Sequence, residues 1–121
     1  MQTYNADPTQ ISRYFDLELL RRDSQSDFTG HVLPQEHQAI VKRTLEADEQ
    51  VTLKNLGLVP LTFYMATTKN GPIPAGTVGV TLAPGEQTHV PASSLGDVVN
   101  NKFVTVYNPS DLADGNWEVM L

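Results

Sequence analysis

One phrase occurs twice in this chain. Thr44-Leu45-Glu46-Ala47-Asp48-Glu49-Gln50 returns as Thr81-Leu82-Ala83-Pro84-Gly85-Glu86-Gln87, with Thr, Leu, Glu and Gln at the same four places. Each copy follows an apolar run rich in β-branched residues and leads into another extended segment. That is the pattern of a strand-turn-strand corner. A chain that says this twice is bound to an all-β plan, because the corner only works between extended segments.

The rest of the sequence after residue 38 agrees. Ile40, Lys42 and Thr44 alternate with Val41, Arg43 and Leu45, and Val51 and Leu53 alternate with Thr52 and Lys54. Leu61, Phe63 and Met65 share one face, and Val78, Val80 and Leu82 share another. Thr88 and Val90, Val104 and Val106, and Trp117, Val119 and Leu121 complete the series. A period of two turns one face inward and the other outward. Breakers separate the runs: Asn55-Leu56-Gly57, the loop Asn70-Gly71-Pro72-Ile73-Pro74-Ala75-Gly76, Pro84-Gly85, Asn108-Pro109 and Asp114-Gly115-Asn116. Proline and glycine at this density preclude both helix and central strand. Ser93-Ser94-Leu95-Gly96-Asp97 has room for one helical turn. About seven short strands of this spacing predict an immunoglobulin-like β-sandwich over residues 39–121.

Residues 1–38 differ and are expected to form an N-terminal arm. Asp7-Pro8 is a helix start, with Asp as N-cap and Pro at the first helical position. Ile11, Tyr14 and Phe15 then share a helical face, after which Phe15-Asp16-Leu17-Glu18-Leu19 alternates like a strand. Phe28, Val32 and Leu33 stand alone among polar residues. Such a segment cannot enclose its own core, so Ile11, Tyr14, Phe15, Leu17, Leu19 and Phe28 are the candidate contacts of the arm, either with its own sandwich or with another subunit.

Composition narrows the partners. The 121 residues suit one domain, and a net charge of −6 with only 8 Lys and Arg residues gives no basic stripe for nucleic acid or an anionic membrane surface. The absence of cysteine excludes disulfides, thiol chemistry and Cys-ligated zinc. The opening Met1-Gln2-Thr3-Tyr4-Asn5 has neither the basic nor the apolar region of a signal peptide, so synthesis in the cytoplasm is expected. No apolar run approaches the length of a membrane span.

Chemistry has few candidates. His31, His37 and His89 are not at ligand spacing and are expected on the surface. Asp111, Asp114, Asn116 and Glu118 offer oxygen ligands of the type that holds calcium, yet in an order that ordinary turns also use. No nucleophile elbow, phosphate loop or dinucleotide fingerprint occurs, so neither an enzyme nor a cofactor is expected. Tyr64, Phe103, Tyr107 and Trp117 are the aromatics that could stack on a sugar, or else fill a core.

Leu82-Ala83-Pro84-Gly85-Glu86-Gln87-Thr88-His89-Val90 resembles the corner of bacterial and viral immunoglobulin-like sandwiches. Val51-Thr52-Leu53-Lys54-Asn55-Leu56-Gly57, followed by Pro60-Leu61-Thr62-Phe63-Tyr64, looks like the next recurring element of such domains. The resemblance covers residues 44–121 and marks turns. With the arm and the absence of cysteine, the plan looks like that of virion accessory proteins of the phage head-decoration or cement type. It implies a non-enzymatic structural protein, in a homo-oligomer or lattice, whose arm and strand edges bind protein partners and whose candidate location is a virion. Two alternatives are a glycan-binding or adhesion module and a domain that takes a peptide at a sheet edge.

Overall fold

The computed structural model describes residues 26–121. Eight strands follow one another: β1 (Asp27–Val32), β2 (His37–Lys42), β3 (Gln50–Asn55), β4 (Leu61–Ala66), β5 (Val80–Leu82), β6 (Gln87–Pro91), β7 (Phe103–Tyr107) and β8 (Gly115–Met120). A single 3-10 turn, Ala92–Leu95, lies between β6 and β7. The strands form two four-stranded sheets, ordered β1-β8-β3-β6 and β2-β7-β4-β5. All the pairs are antiparallel.

Consecutive strands cross from one sheet to the other at every step but β4 to β5. That is jelly-roll connectivity, two Greek keys folded over each other. The expected all-β sandwich is present, but its strand order is not that of an immunoglobulin domain, in which the first two strands lie side by side in one sheet. Here β1 and β2 lie in opposite sheets. Alternation shows that a segment is a strand, and turn residues show where it ends. Neither says which distant strand it will pair with.

The inward faces follow the period of two. Leu61, Phe63 and Met65 of β4, Val51 and Leu53 of β3, Val104 and Val106 of β7, and Trp117 and Val119 of β8 meet in one core. Phase is reset once. In β2 a bulge between Ala39 and Val41 sets Ala39 opposite Thr105 and Val41 opposite Val104. Ile40 is the extra residue, so the strict alternation expected over residues 40–45 is broken there.

The eighth strand comes from the expected arm. β1 pairs along its whole length with β8, and the boundary expected after residue 38 falls inside β2. Phe28 is packed against the sandwich's own core. Ile11, Tyr14, Phe15, Leu17 and Leu19 lie outside the described residues. The alternation of β1 is hidden because its middle inward position is Gly30. A Cβ built there would come within 2.8 Å of Trp117 Cζ2, and Gly30 is the cross-strand partner of Trp117. The indole occupies the space that a side chain on β1 would need.

The repeated phrase is a repeated turn. The Glu49 carboxylate accepts the Glu46 N–H at 3.1 Å, and the Glu86 carboxylate accepts the Ala83 N–H at 2.7 Å. In both, the glutamate's own N–H closes the turn on the carbonyl three residues back. Leu45 and Leu82 are both buried. Both turns carry the chain from the β2 sheet to the β3 sheet, into β3 and into β6, which then pair with each other. Because that pair is antiparallel, the two turns sit at opposite ends of the sandwich.

Gly30→Val is expected to destabilise the fold by about 1–3 kcal/mol through overpacking against the indole, and to red-shift Trp117 emission. Chemical unfolding measures the first and fluorescence the second. Thr29→Val, on the outward face of the same strand, should be nearly neutral, and equal effects of the two would refute this account of β1.

Candidate functional site

The four connections 33–36, 56–60, 83–86 and 108–114 lie at one end of the sandwich, because antiparallel pairing brings Val32 against Gly115, His37 against Tyr107 and Leu61 against Leu82. Two asparagines bind these connections in pairs. Asn55, at the end of β3, donates from its side-chain amide to Val59 O at 2.8 Å and Leu82 O at 3.0 Å, and accepts the Gly57 N–H at 3.1 Å. Asn108, just past β7, donates to Ala113 O at 2.8 Å and Val32 O at 3.2 Å, and accepts the Ser110 N–H at 2.9 Å. Each amide thus shapes its own loop and ties it to a neighbour, and both donors and the acceptor are used. Asn55 is 1% exposed and Asn108 is 0% exposed. Sequence reasoning took both for turn formers at strand ends. The signal for more was an asparagine two residues before a loop N–H, which is Asx-turn spacing.

The loops so fixed hold leucines out to solvent. Leu58 is 88% exposed, Leu112 89%, Leu56 57% and Leu33 47%. They are four of the six exposed large aliphatic residues among the described residues, the others being Val78 and Val99. A lone exposed leucine needs no explanation, but four on adjoining loops form an apolar cluster. The same four connections carry Glu36, Glu86, Asp111 and Asp114, all exposed, and no lysine or arginine. This end is therefore apolar with an anionic surround.

The outward face of the second sheet is built differently. Tyr64, Ala66 and Thr105 point away from the core yet are fully buried. The long connection 67–79 lies over them, with Gly79 so close to Phe63 O that a Cβ would come within 2.7 Å. The Tyr64 hydroxyl donates to Gly71 O and meets His37 Nδ1 at 2.6 Å. Since the hydroxyl proton goes to Gly71, Nδ1 of His37 carries its own proton. The His37 ring also stacks on Tyr107 at 4.3 Å. Burial, then the neighbouring Tyr107, pushes the Tyr64 phenol above its ordinary range, and burial lowers His37 below its ordinary value. Asn70 closes the arrangement by accepting the Ala39 N–H at 2.7 Å on the edge strand β2. Beside it a groove of about 440 Å³ runs along β2 between Lys42, Lys69 and Phe103.

The other candidates are dispersed. His31 and His89 are exposed as expected, with His89 against Thr52 at 2.7 Å, whereas His37 is half-buried against Tyr64 and Tyr107. Asp111 and Asp114 lie in a loop, while Glu118 pairs with Lys54 at 3.5 Å on a sheet face. No group of three or more His, Asp or Glu side chains converges among the described residues. Trp117 is 5% exposed and Tyr64 is 0% exposed. Lys42 lies over the Phe103 ring at 5.7 Å, and the Tyr107 face carries His37. No helix among the described residues is long and apolar enough to cross a membrane.

No protein-family model and no curated protein matches the sequence. Two solved structures resemble the fold. One is a cupin domain from Bordetella pertussis Tohama I, at 14% identity and a TM-score of 0.46, covering 79% of this chain and 78% of that one. The other is a Bacillus endospore appendage protein of a family of disulfide-linked pili, at 13% identity and a TM-score of 0.40, covering 79% and 82%. Both likenesses are too distant to speak to function.

Asn55→Asp and Asn108→Asp keep the shape but remove both donors and bury a charge. Each should lower stability by roughly 3–5 kcal/mol at neutral pH in chemical unfolding, against about 0.5 kcal/mol or less for Asn116→Asp on the exposed face. A loss below about 1 kcal/mol at both sites would show that the loops are held by something else. The depressed His37 pKa predicts a pH dependence. Its contribution is present above the unfolded value of 6.5 and is lost as pH falls through the folded value. Stability of the wild type should therefore fall more steeply than that of His37→Gln between about pH 7.5 and 5, and parallel curves would refute the link.

Proposed function

We propose that this chain is a non-enzymatic assembly protein that docks through the leucine-bearing end of its jelly roll. The observation that carries the reading is the set Leu33, Leu56, Leu58 and Leu112, held in water by loops that two buried asparagines make rigid. A preformed apolar surface of this kind lowers the entropic cost of association, and its acidic surround selects partners with basic groups. Three of the four strand edges serve less well. β5 is only three residues long, β6 ends in Pro91, and β2 has its bulge and Asn70. Short edges, prolines and bulges discourage strand addition.

Within this class our reading is a virion decoration, cement or accessory subunit, a role compatible with the jelly roll, which capsid proteins use as lectins and cupins also do. A glycan platform gains little support, because Trp117 and Tyr64 are buried and the Phe103 and Tyr107 rings are occupied by neighbouring side chains. Sedimentation of the intact chain over a range of concentrations tests the proposal. Reversible growth beyond monomer mass, or capture on purified particles, is expected. A strict monomer that binds no particle overturns it.

A further inference from the structure

Of the edge strands among the described residues, β1 alone lacks protection against strand addition. Its outer side pairs with none of the other described strands. Its six residues, Asp27–Val32, run in unbroken register with β8 and include no proline, lysine or bulge. A regular edge of this kind is a template for another strand.

The hydrogen-bond phase fixes which groups this edge offers. Ser26 and Leu121 exchange both backbone hydrogen bonds, at 2.8 and 2.9 Å. In an antiparallel ladder such pairs recur at every second residue, so Phe28, Gly30 and Val32 also bond to β8. The alternate residues of β8 bond the other way, as Asn116 O does in accepting the Leu56 N–H at 2.8 Å. The N–H and C=O groups of Asp27, Thr29 and His31 therefore point away from β8, along the open edge. All three side chains are exposed.

This edge is complementary to itself. An antiparallel partner sets Asp27, Thr29 and His31 against residues of the same phase. With a second β1 centred on Thr29, Thr29 meets Thr29, and Asp27 meets His31 on either side. Each such pair exchanges two backbone hydrogen bonds. The imidazole can donate to the carboxylate across the strands, and paired threonines are favourable neighbours. On the inward face, half-buried Phe28 comes opposite Gly30, which has no side chain to oppose the ring. Sliding the partner by two residues either way leaves fewer bonded pairs within β1 and takes Asp27 away from His31.

We infer that β1 pairs with β1 of a second copy about a two-fold axis through Thr29, joining the two β1-β8-β3-β6 sheets into one. The contact is isologous, so it closes at a dimer. It uses a different surface from the leucine end and stands without it.

The chain has no cysteine, so single cysteines in the full-length protein read the register. Opposed residues of a bonded pair lie about 5.5 Å apart at Cα, within disulfide reach. Thr29→Cys should therefore give a disulfide-linked dimer on mild oxidation. Asp27→Cys and His31→Cys should not link alone, because four residues along the strand separate the two copies of each by about 14 Å. Mixed together, they should link to one another. Thr29→Pro removes an N–H that β8 does not use. It should weaken dimerisation tenfold or more in sedimentation and leave the circular dichroism spectrum unchanged. His31→Asp should weaken it too, and Asp27→Lys/His31→Asp should restore it with the charges exchanged. Leu58→Ser/Leu112→Ser should leave the link at position 29 intact. A Thr29→Cys chain that stays unlinked overturns the contact, whether the edge is covered by the chain's own leading residues or by nothing. Equal linking at all three positions overturns it as well, since that marks random collision. Loss of the dimer in Leu58→Ser/Leu112→Ser but not in Thr29→Pro would refute the β1 contact and leave docking through the leucine end standing.

Discussion

Two buried amides hold one end of this sandwich in shape. A jelly roll sends nearly every connection across from one sheet to the other, so its loops must bridge layers and cannot rest on simple hairpin geometry. Asn55 and Asn108 solve this in the same way at two places. Each folds its own loop through an Asx-type contact and reaches with its amide to a carbonyl at the end of another strand. A buried amide with all its partners in place is rigid, because losing any one of them leaves a desolvated polar group. The positions of the exposed leucines depend on these contacts.

The edge strand β1 is organised around a side chain that is missing at its middle. Gly30 leaves a gap in β1, Trp117 fills it, and the strand that carries the chain's first described residues becomes part of the sheet. This sets Ser26 beside Leu121 and Arg43, at the end away from the leucines. The two ends are thus unlike. One is apolar and acidic, and the other is where the leading segment departs. That asymmetry underlies the proposal that the protein is an assembly unit.

Much of the scaffold was legible from the residues. The seven strands after residue 36 lie close to where alternation placed them, because each has a half-buried face that imposes a period of two. The twin corners are real turns in which a glutamate closes on a backbone N–H, and both cross between sheets. β1 was hidden because glycine at its centre erases the inward signal. The bulge at Ile40 was hidden because a phase slip between two apolar residues looks like continued alternation. The burial of Tyr64 was hidden because the loop that covers it lies beyond the strand's own period.

The sequence by itself determined the class of the fold, the turns and most strand limits, since these depend on neighbours a few residues apart. It also determined the charge. Only the tertiary structure decided the jelly-roll order, the two asparagine ties and the gathering of Leu33, Leu56, Leu58 and Leu112 at one end. Those depend on pairings between residues as far apart as Val32 and Asn108. No local pattern encodes such a pairing, because it is selected by the closure of two sheets over one shared core.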